Sequence, residues 1–390
     1  LLTNIVVGLS VGGTVLIGQF KGKNDKDAMR EIIGTLFTTL LVLGVVMTGL
    51  MIALRRPILH LINTPAESFE QADAYLIITT LGTLFIFGYN ALSAVMRGMG
   101  DSRHPLMFVG VACVTNIVLD LLLVGPLGMR AQGAALATII SRYAELFVIA
   151  AATQRRPERF KFICGAFRSP RVPMKLVKQI AIKGSPLLIN EALWSFGIAM
   201  IARCYSMRGL DVVSALNISN TVSNLFNTVF LSMGSATAII IGQALGANEI
   251  DRARDHVWKL AAFSIGCCLM MGTLLCIASP FVPLLYNTED HIRHLATQLM
   301  IVNAVYTPLS GFANISYFTL RSGGKTVITF LFDSGFTWVV SYPAAYLLVT
   351  LTSLPIVWVV LMVQFMDIIK CILGFVLLKK GVWIHNMVAK

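Results

Sequence analysis

Charged residues are scarce in this chain of 390 residues. Asp, Glu, Lys and Arg make up 13% of it and apolar residues 56%, whereas soluble domains carry about 25% charged residues. The few charges gather into short clusters between apolar stretches of roughly 20 residues, the length that crosses a hydrocarbon layer. Backbone groups in lipid must pair within their own segment, so these stretches are predicted to be helices.

The sequence also lacks the patterns of catalytic, nucleotide and structural metal sites. Its seven cysteines form no C-x-x-C pair and lie mostly in apolar runs, which is typical of inert thiols. Gly323-Gly324-Lys325-Thr326 has no earlier glycine at P-loop spacing and no preceding strand. We therefore expect no enzyme activity, no cofactor and no metal beyond a coupling Na⁺. Any transport must be driven by an ion gradient or by the gradient of the substrate.

The formal net charge of +12 does not form a patch suited to nucleic acid. The basic residues lie in loops between apolar stretches, where attraction to lipid headgroups explains them better. We expect membrane lipid and a small organic substrate as partners, no nucleic acid, and a monomer.

Hydropathy predicts eleven membrane spans. Nine Lys and Arg residues lie in the loop 155–183 and three in 245–259, whereas 125–131 holds one and 351–354 none. By the positive-inside rule, the rich loops and the C-terminus are cytoplasmic. The predicted spans are 1–19, 33–54, 72–96, 105–124, 132–153, 186–208, 213–244, 259–280, 293–318, 327–350 and 355–379.

An internal repeat with an offset of 224 residues runs through the chain. Ile17-Gly18-Gln19 recurs as Ile241-Gly242-Gln243, and Arg97-Gly98-Met99-Gly100 as Arg321-Ser322-Gly323-Gly324. By this offset the span 186–208 has its counterpart before residue 1, so we expect one further helix ahead of this sequence. The same offset relates Gly22 to Gly246, Asn24 to Asn248, Asp27 to Asp251 and Arg30 to Arg254.

The repeat predicts the fold class and the domains. We expect an all-α polytopic membrane protein of two parallel six-helix repeats, with eleven helices present and twelve in the full chain. Residues 1–153 would form an N-terminal lobe, 154–184 a cytoplasmic linker, and 185–390 a C-terminal lobe. A substrate path between the lobes follows as an expectation.

Polar side chains inside two spans recur at steps of three and four residues, which places each set on one helix face. Because polar groups are costly in lipid, both stripes are predicted to face a cavity or each other. Lining of a hydrated cavity and interhelical hydrogen bonding both remain open. The first stripe is Asn217, Asn220, Asn224 and Asn227; the second is Asn303, Tyr306, Ser310, Asn314 and Tyr317.

Acidic residues inside the spans are candidate ion sites. Glu191, preceded by Asn190, is the most isolated, and it is either a site for a proton or cation or a neutral structural group. Asn116 and Asp120 lie one helical turn apart, and a carboxylate with an amide oxygen suits a hard cation, unless Asp120 is simply solvated at the outer helix end. Asp333 is either a second intramembrane acid or an interfacial residue.

Three cationic side chains have structural interpretations. Arg142 with Glu145, and Lys370 with Asp367, are predicted i,i+3 ion pairs within a helix. Arg321, in the repeated turn, is predicted to hold a helix end or to contact lipid headgroups.

Seven motifs distributed along the chain occur together: Ile17-Gly18-Gln19 with Gly22, Arg97-Gly98-Met99-Gly100-Asp101, Asn116-x-x-x-Asp120, Gly133-Ala134-Ala135-x-Ala137-Thr138, Gly184-x-Pro186 with Glu191, Ile241-Gly242-Gln243 with Gly246, and Leu320-Arg321-x-Gly323-Gly324. With these motifs the sequence resembles the multidrug and toxin extrusion family over residues 1 to about 380. The resemblance implies two six-helix lobes that export organic, often cationic, compounds from bacteria across the plasma membrane in exchange for Na⁺ or H⁺, by alternating access.

The resemblance also implies site residues. Asn116, Asp120 and Thr138 match the family's N-lobe cation site, whose first-helix acid would precede residue 1. Glu191 matches a C-lobe acid on the seventh helix. The family's second acid of that site would fall near Ser310, where this sequence departs from the family and has no acidic residue. We predict that substrate or a second cation binds at Glu191, Asn190, Asn217, Asn220, Asn224, Asn303, Tyr306, Ser310 and Asp333.

Two other functions remain open at this point. A lipid-linked oligosaccharide or polysaccharide flippase of the same superfamily would need cationic side chains in its cavity, for which Arg142 and Arg203 are the candidates. A membrane-embedded enzyme would need clustered catalytic groups, and the sequence shows none.

Overall fold

The structure, a computed structural model, describes residues 2–61, 66–155 and 174–385, and these ranges are helical almost throughout and contain no β-strand. The chain divides into two compact units, Leu1–Ser185 and Pro186–Lys390. Among the described residues, five helices lie entirely within the first unit. They are α1 (Leu2–Gly22), α2 (Lys26–Leu61), α3 (Ala66–Gly98), α4 (Arg103–Val124) and α5 (Arg130–Arg155).

The division between the units falls inside α6, which spans Met174–Ser206. Pro186 lies within this helix, and a proline there removes one hydrogen bond of the helical ladder. Helix α6 begins inside the stretch predicted as a linker, whose residues 156–173 lie outside the described ranges. The lobe boundaries at 153 and 185 stay a prediction.

In its described part, the second unit continues with seven further α-helices: α7 (Leu210–Gly246), α8 (Ile250–Ala278), α9 (Asp290–Ser322), α10 (Thr326–Phe330), α11 (Tyr342–Leu351), α12 (Ile356–Phe365) and α13 (Asp367–Lys379). The short helices α10 and α11 belong to one continuous helical run, Thr326–Leu351, because two π-helical segments at Leu331–Gly335 and Thr337–Ser341 join them. Helices α12 and α13 form one span, Ile356–Lys379, with only Met366 between them.

Eight described helical stretches are long and apolar enough to cross a membrane, and each overlaps one predicted span almost completely. The predicted spans 1–19, 132–153 and 293–318 correspond to α1, α5 and α9, which are helical but outside this set. Helix α9 carries the second polar stripe, which lowers its hydropathy. The eight are Asp27–Leu59, Phe69–Gly98, Arg103–Val124, Ser185–Ser206, Leu210–Gly246, Ile250–Ala278, Thr326–Leu351 and Ile356–Lys379.

Large apolar side chains cover the outside of these helices. On α4, Leu106 and Leu121 are 72% and 71% exposed, and only Pro105, Phe108 and Ala112 are buried on that helix. Such continuous apolar surface would be a liability in water and suits contact with lipid. The chain is an all-α, multi-pass membrane protein, as predicted.

The two units share the turns that the sequence repeat predicts. Asn24 and Asn248, 224 residues apart, are both left-handed, with φ values of 59° and 62°. Gly100 and Gly324, at the same offset, have φ values of 80° and 69°. In both asparagine turns the N–H of the residue after the asparagine donates to a carbonyl five residues earlier, at 3.2 Å for Asp25 and 3.0 Å for Glu249. This is a helix-ending geometry that needs a left-handed residue.

Candidate functional site

In the first unit, helix α4 carries two buried polar atoms without partners. Neither Asn116 Nδ2 nor Asp120 Oδ1 has a hydrogen bond in the described part of the chain. Buried polar atoms are paired in the large majority of cases, so an unpaired set one helical turn apart calls for an explanation. A carboxylate oxygen with no donor is a suitable ligand for a hard cation, and an amide flip presents the oxygen of Asn116 beside it.

Among the described residues, no hydrogen bond links Thr138 to Asn116 or Asp120. It lies on α5, which packs along α4, and its exposed hydroxyl donates to the carbonyl of Ala134 at 3.0 Å. Ala135 and Ala137 on the same helix are fully buried, which shows why small residues are needed where α5 packs. The assignment of Thr138 to the cation site stays a prediction.

The predicted ion pair on α5 is present. Arg142 Nη1 lies 2.7 Å from Oε2 of Glu145, whose side chain is fully buried. The guanidinium of Arg142 also lies 5.9 Å from the ring centre of Tyr89. The carboxylate thus neutralises this cation within the first unit.

In the second unit, Glu191 is not isolated, as it looked in the sequence. Arg321 Nη1 lies 3.0 Å from Glu191 Oε1, and the arginine side chain is only 2% exposed. The same nitrogen donates to the hydroxyl of Tyr317 at 2.9 Å. Of the two roles predicted for Arg321, contact with headgroups is wrong, because the last turn of α9 points this side chain into the unit, where it meets α6.

Asn190 connects three helical elements. It is 1% exposed, and its Nδ2 donates to the Tyr317 hydroxyl and to Asp333 Oδ2, both at 3.1 Å. Its Oδ1 accepts from the Ser334 hydroxyl at 2.7 Å and from the Ser334 backbone N–H at 3.3 Å. These four bonds saturate the amide, so Asn190 positions its neighbours and has no free donor or acceptor for a substrate.

Asp333 pairs with Lys370, which was predicted to pair with Asp367. Lys370 Nζ lies 2.9 Å from Asp333 Oδ1, and both side chains are mostly buried. The predicted pair of Lys370 with Asp367 is wrong, since Asp367 Oδ2 accepts from the Tyr306 hydroxyl instead. A lysine side chain is long enough to reach an acid on a neighbouring helix, and the packing of α13 favours that partner.

The α9 stripe makes interhelical hydrogen bonds. Asn303 Nδ2 donates to the buried hydroxyls of Ser219 and Ser223 on α7, at 3.0 and 3.1 Å. Gln364 Nε2 on α12 donates to Asn303 Oδ1 at 2.6 Å. Ser310 lies one turn beyond Tyr306 on the same face of α9, near the tyrosine hydroxyl. Of the two interpretations left open for this stripe, the structure supports interhelical bonding.

The asparagine stripe of α7 does not face α9. Asn217, Asn220 and Asn224 are exposed, whereas Ser219 and Ser223 on the other face of the helix contact α9. The two stripes therefore do not face each other. An exposed row of amides on a membrane-spanning helix is costly against lipid and is typical of a helix that lines water.

Sequence reasoning missed the serine face of α7 and the interhelical partners of the acids. The i,i+4 spacing of Ser219 and Ser223 was a signal that could have been used. The acids' partners Arg321 and Lys370, and Gln364 as the partner of Asn303, had no such signal, because each contacts a residue at least 37 positions away.

Comparisons with known proteins identify the family. The MatE family model matches residues 1–122 and 186–347. The chain is 28% identical over 367 residues to the probable multidrug resistance protein YoeA of Bacillus subtilis (strain 168). This alignment covers 92% of this chain and 79% of YoeA. It is 25% identical over 346 residues to the probable multidrug resistance protein YpnP of the same strain, covering 87% of this chain and 75% of YpnP.

A solved structure shows the same fold. A MATE protein crystallised in complex with MaD3S superposes with a TM-score of 0.90 at 20% identity, covering 98% of this chain and 85% of that one. Since the family model matches well over half of the sequence, this chain belongs to the MatE family of multidrug and toxin extrusion membrane transporters.

Proposed function

We propose that this protein exports organic cations in exchange for Na⁺ or H⁺ by alternating access. The observation that carries the proposal is the pair of unpartnered buried atoms on α4, Asn116 Nδ2 and Asp120 Oδ1. The relatives in Bacillus subtilis, named as probable multidrug resistance proteins, support an organic substrate. We further propose a monomer in the bacterial plasma membrane with a cytoplasmic C-terminus.

In this proposal the first unit binds the coupling cation. Asp120 supplies the charge, Asn116 a neutral oxygen, and Thr138 a hydroxyl from α5. Binding of the cation changes the conformational equilibrium only if the two states of the transporter bind it with different affinity. Cation arrival from outside would then favour the state that releases the substrate.

The second unit would bind the substrate. Its exposed amides at Asn217, Asn220 and Asn224 offer uncharged hydrogen-bonding groups along α7. Glu191 and Asp333 already carry internal cations at 3.0 and 2.9 Å. A cationic substrate that reaches either acid must therefore displace Arg321 or Lys370.

The test is ethidium export by everted vesicles that carry the full chain, in which export appears as uptake of ethidium from the medium into the lumen, with either a Na⁺ gradient or a pH gradient imposed. Efflux should follow one of the two gradients, and Asp120→Asn should abolish that dependence. Asp255→Asn is the matched control, because Asp255 is an exposed acid paired with Lys259 at 2.6 Å. Efflux by Asp120→Asn at the rate of the unsubstituted protein would refute the assignment of the coupling site.

The flippase alternative gains no support from the two candidate cations. Arg142 is neutralised by Glu145, and Arg203 is exposed at the last turn of α6. A site for a lipid pyrophosphate would need unpaired cations in a shared cavity.

A further inference from the structure

Asp367 is a membrane-embedded carboxylate that has no cation of its own. It begins α13, inside the apolar stretch Ile356–Lys379. It belongs to a polar cluster of the second unit with Asp333, Lys370, Glu191 and Arg321, in which Asn190 and Tyr317 connect Asp333 to Glu191. The other two acids of this cluster are each paired, Glu191 with Arg321 and Asp333 with Lys370. No ion pair of Asp367 occurs among the residues that the structure describes.

The groups around Asp367 come from its own helix and from two others. The Tyr306 hydroxyl on α9 donates to Oδ2. Asp333 lies across from it in the first π-helical segment, and Lys370 and Cys371 follow on α13. Within the described ranges, Lys370 is the only cation among these groups, and its Nζ contacts Asp333.

The cluster is therefore short of one positive charge. Glu191, Asp333 and Asp367 face two cations, Arg321 and Lys370, so full ionisation leaves one net negative charge. An uncompensated charge inside a membrane span costs roughly 2.5–3.5 kcal/mol on insertion scales. One monovalent cation removes that cost, and the proton is the one that needs no coordination shell.

We propose that Asp367 is a proton-binding carboxyl of the second unit and that Lys370 moves between Asp333 and Asp367 as the proton binds and leaves. This deepens the proposed function by naming H⁺ as an ion that the second unit exchanges. With a proton on Oδ1, Asp367 is neutral and Lys370 stays on Asp333, as observed. When the proton passes to water, the ammonium is drawn towards Asp367 and the Asp333 contact weakens.

The surroundings of Asp333 suit such a movement. It lies in the π-helical segment Leu331–Gly335, and π segments occur frequently at functional sites. Asp333 also accepts a hydrogen bond from Asn190, beside Glu191. Loss of the Lys370 contact would therefore change the hydrogen bonding of Asn190, which holds Tyr317 and Ser334 in place beside Glu191.

Infrared difference spectra of the purified full chain in lipid vesicles test the inference without any transport. Between about pH 9 and pH 6, a window above the range in which ordinary Asp and Glu side chains titrate, the protein should gain the carbonyl stretch of a protonated carboxylic acid. This band should be lost in Asp367→Asn and retained in the control Asp255→Asn. A spectrum with no such band, or a band that persists in Asp367→Asn, overturns the proposal.

Two further variants keep the test decisive where Asp367→Asn fails to fold. Tyr306→Phe removes only the hydroxyl that donates to Asp367, so the band should remain and shift in frequency. In Asp333→Asn, Asp367 is the one carboxylate left for Lys370 to pair with in this part of the cluster. Because the nearby ammonium favours ionised Asp367, proton binding should weaken about tenfold, equal to one pH unit or about 1.4 kcal/mol. An unshifted band in Tyr306→Phe, or an unchanged titration in Asp333→Asn, contradicts the proposal.

The outcomes separate this inference from the proposed function. If ethidium efflux fails under both gradients while the band follows Asp367, the export proposal falls and the proton site stands. If efflux is coupled but the band is independent of Asp367, the proton site falls and the export proposal stands.

Discussion

Arg321 Nη1 lies 3.0 Å from Glu191 Oε1, although 130 positions separate the two residues in the chain. Removal of one member of a buried pair leaves an uncompensated charge, which costs about 3–5 kcal/mol, whereas replacement of both is often close to neutral. We expect Arg321→Met to lower the free energy of unfolding by about 3 kcal/mol, at the low end because Glu191 is partly exposed.

A double-mutant cycle measures this relationship. Adding Glu191→Gln to Arg321→Met should restore part of the lost stability, as followed by thermal unfolding in detergent. Additive effects of the two substitutions would show that the pair does not contribute as a unit.

Two asparagines on spanning helices should respond in opposite ways. Asn190 makes four hydrogen bonds at 1% exposure, so Asn190→Ala should cost about 1–3 kcal/mol by leaving buried groups unsatisfied. Asn220 is exposed, so Asn220→Ala should change stability by less than about 0.5 kcal/mol and still lower ethidium efflux. Unfolding and efflux measured on both variants check the distinction. Normal efflux by Asn220→Ala would remove the amide row from the substrate path.

Two glycines on α8 provide a matched pair for helix packing. A Cβ at Gly272 would lie 2.6 Å from the backbone oxygen of Ala304 on α9, whereas a Cβ at Gly266 would meet nothing within 4 Å. Gly272→Ala must push the helices apart, and overpacking of this kind costs about 1–3 kcal/mol. Gly266→Ala should be neutral or stabilising by up to about 1 kcal/mol, because alanine favours the helix. Equal unfolding temperatures of the two variants would contradict the close approach of α8 and α9.

The repeated asparagine turns should tolerate glycine and reject other side chains. At Asn24 and Asn248 the backbone is left-handed, a conformation that costs most residues about 1–2 kcal/mol. We expect Asn248→Gly to keep the stability of the protein and Asn248→Ala to lose about 1 kcal/mol. The same contrast should appear at Asn24. Thermal unfolding of the four variants checks this, and a difference between the two positions would show that the turns are not equivalent.

The fold class followed from local features of the sequence. Apolar stretches with few charges predicted the helices, and the 224-residue offset predicted the paired turns at Asn24 and Asn248. Both depend on neighbours within a few residues, because a helix satisfies its own backbone and a turn depends on its own φ angles.

The candidate site was only partly predictable. The spacing of Asn116 and Asp120 identified a polar pair one turn apart on α4, and the structure shows that each has a buried atom without a partner. Cation binding by this pair stays a prediction. The same kind of reasoning paired Lys370 with Asp367, because i,i+3 spacing describes only one helix. It also left the Asn303 stripe open between two interpretations, since spacing cannot show which neighbouring helix faces the stripe.

The sequence by itself determined that this is an all-α membrane protein of a repeated design, and which polar residues its helices carry. Only the tertiary structure decided that Arg321 neutralises Glu191, that Lys370 prefers Asp333, and that Asp367 is left with a tyrosine. The physical reason is that charge pairing between helices depends on how each helix is rotated against its neighbours. That rotation results from the packing of many side chains together, and hydropathy and spacing along one helix do not contain it.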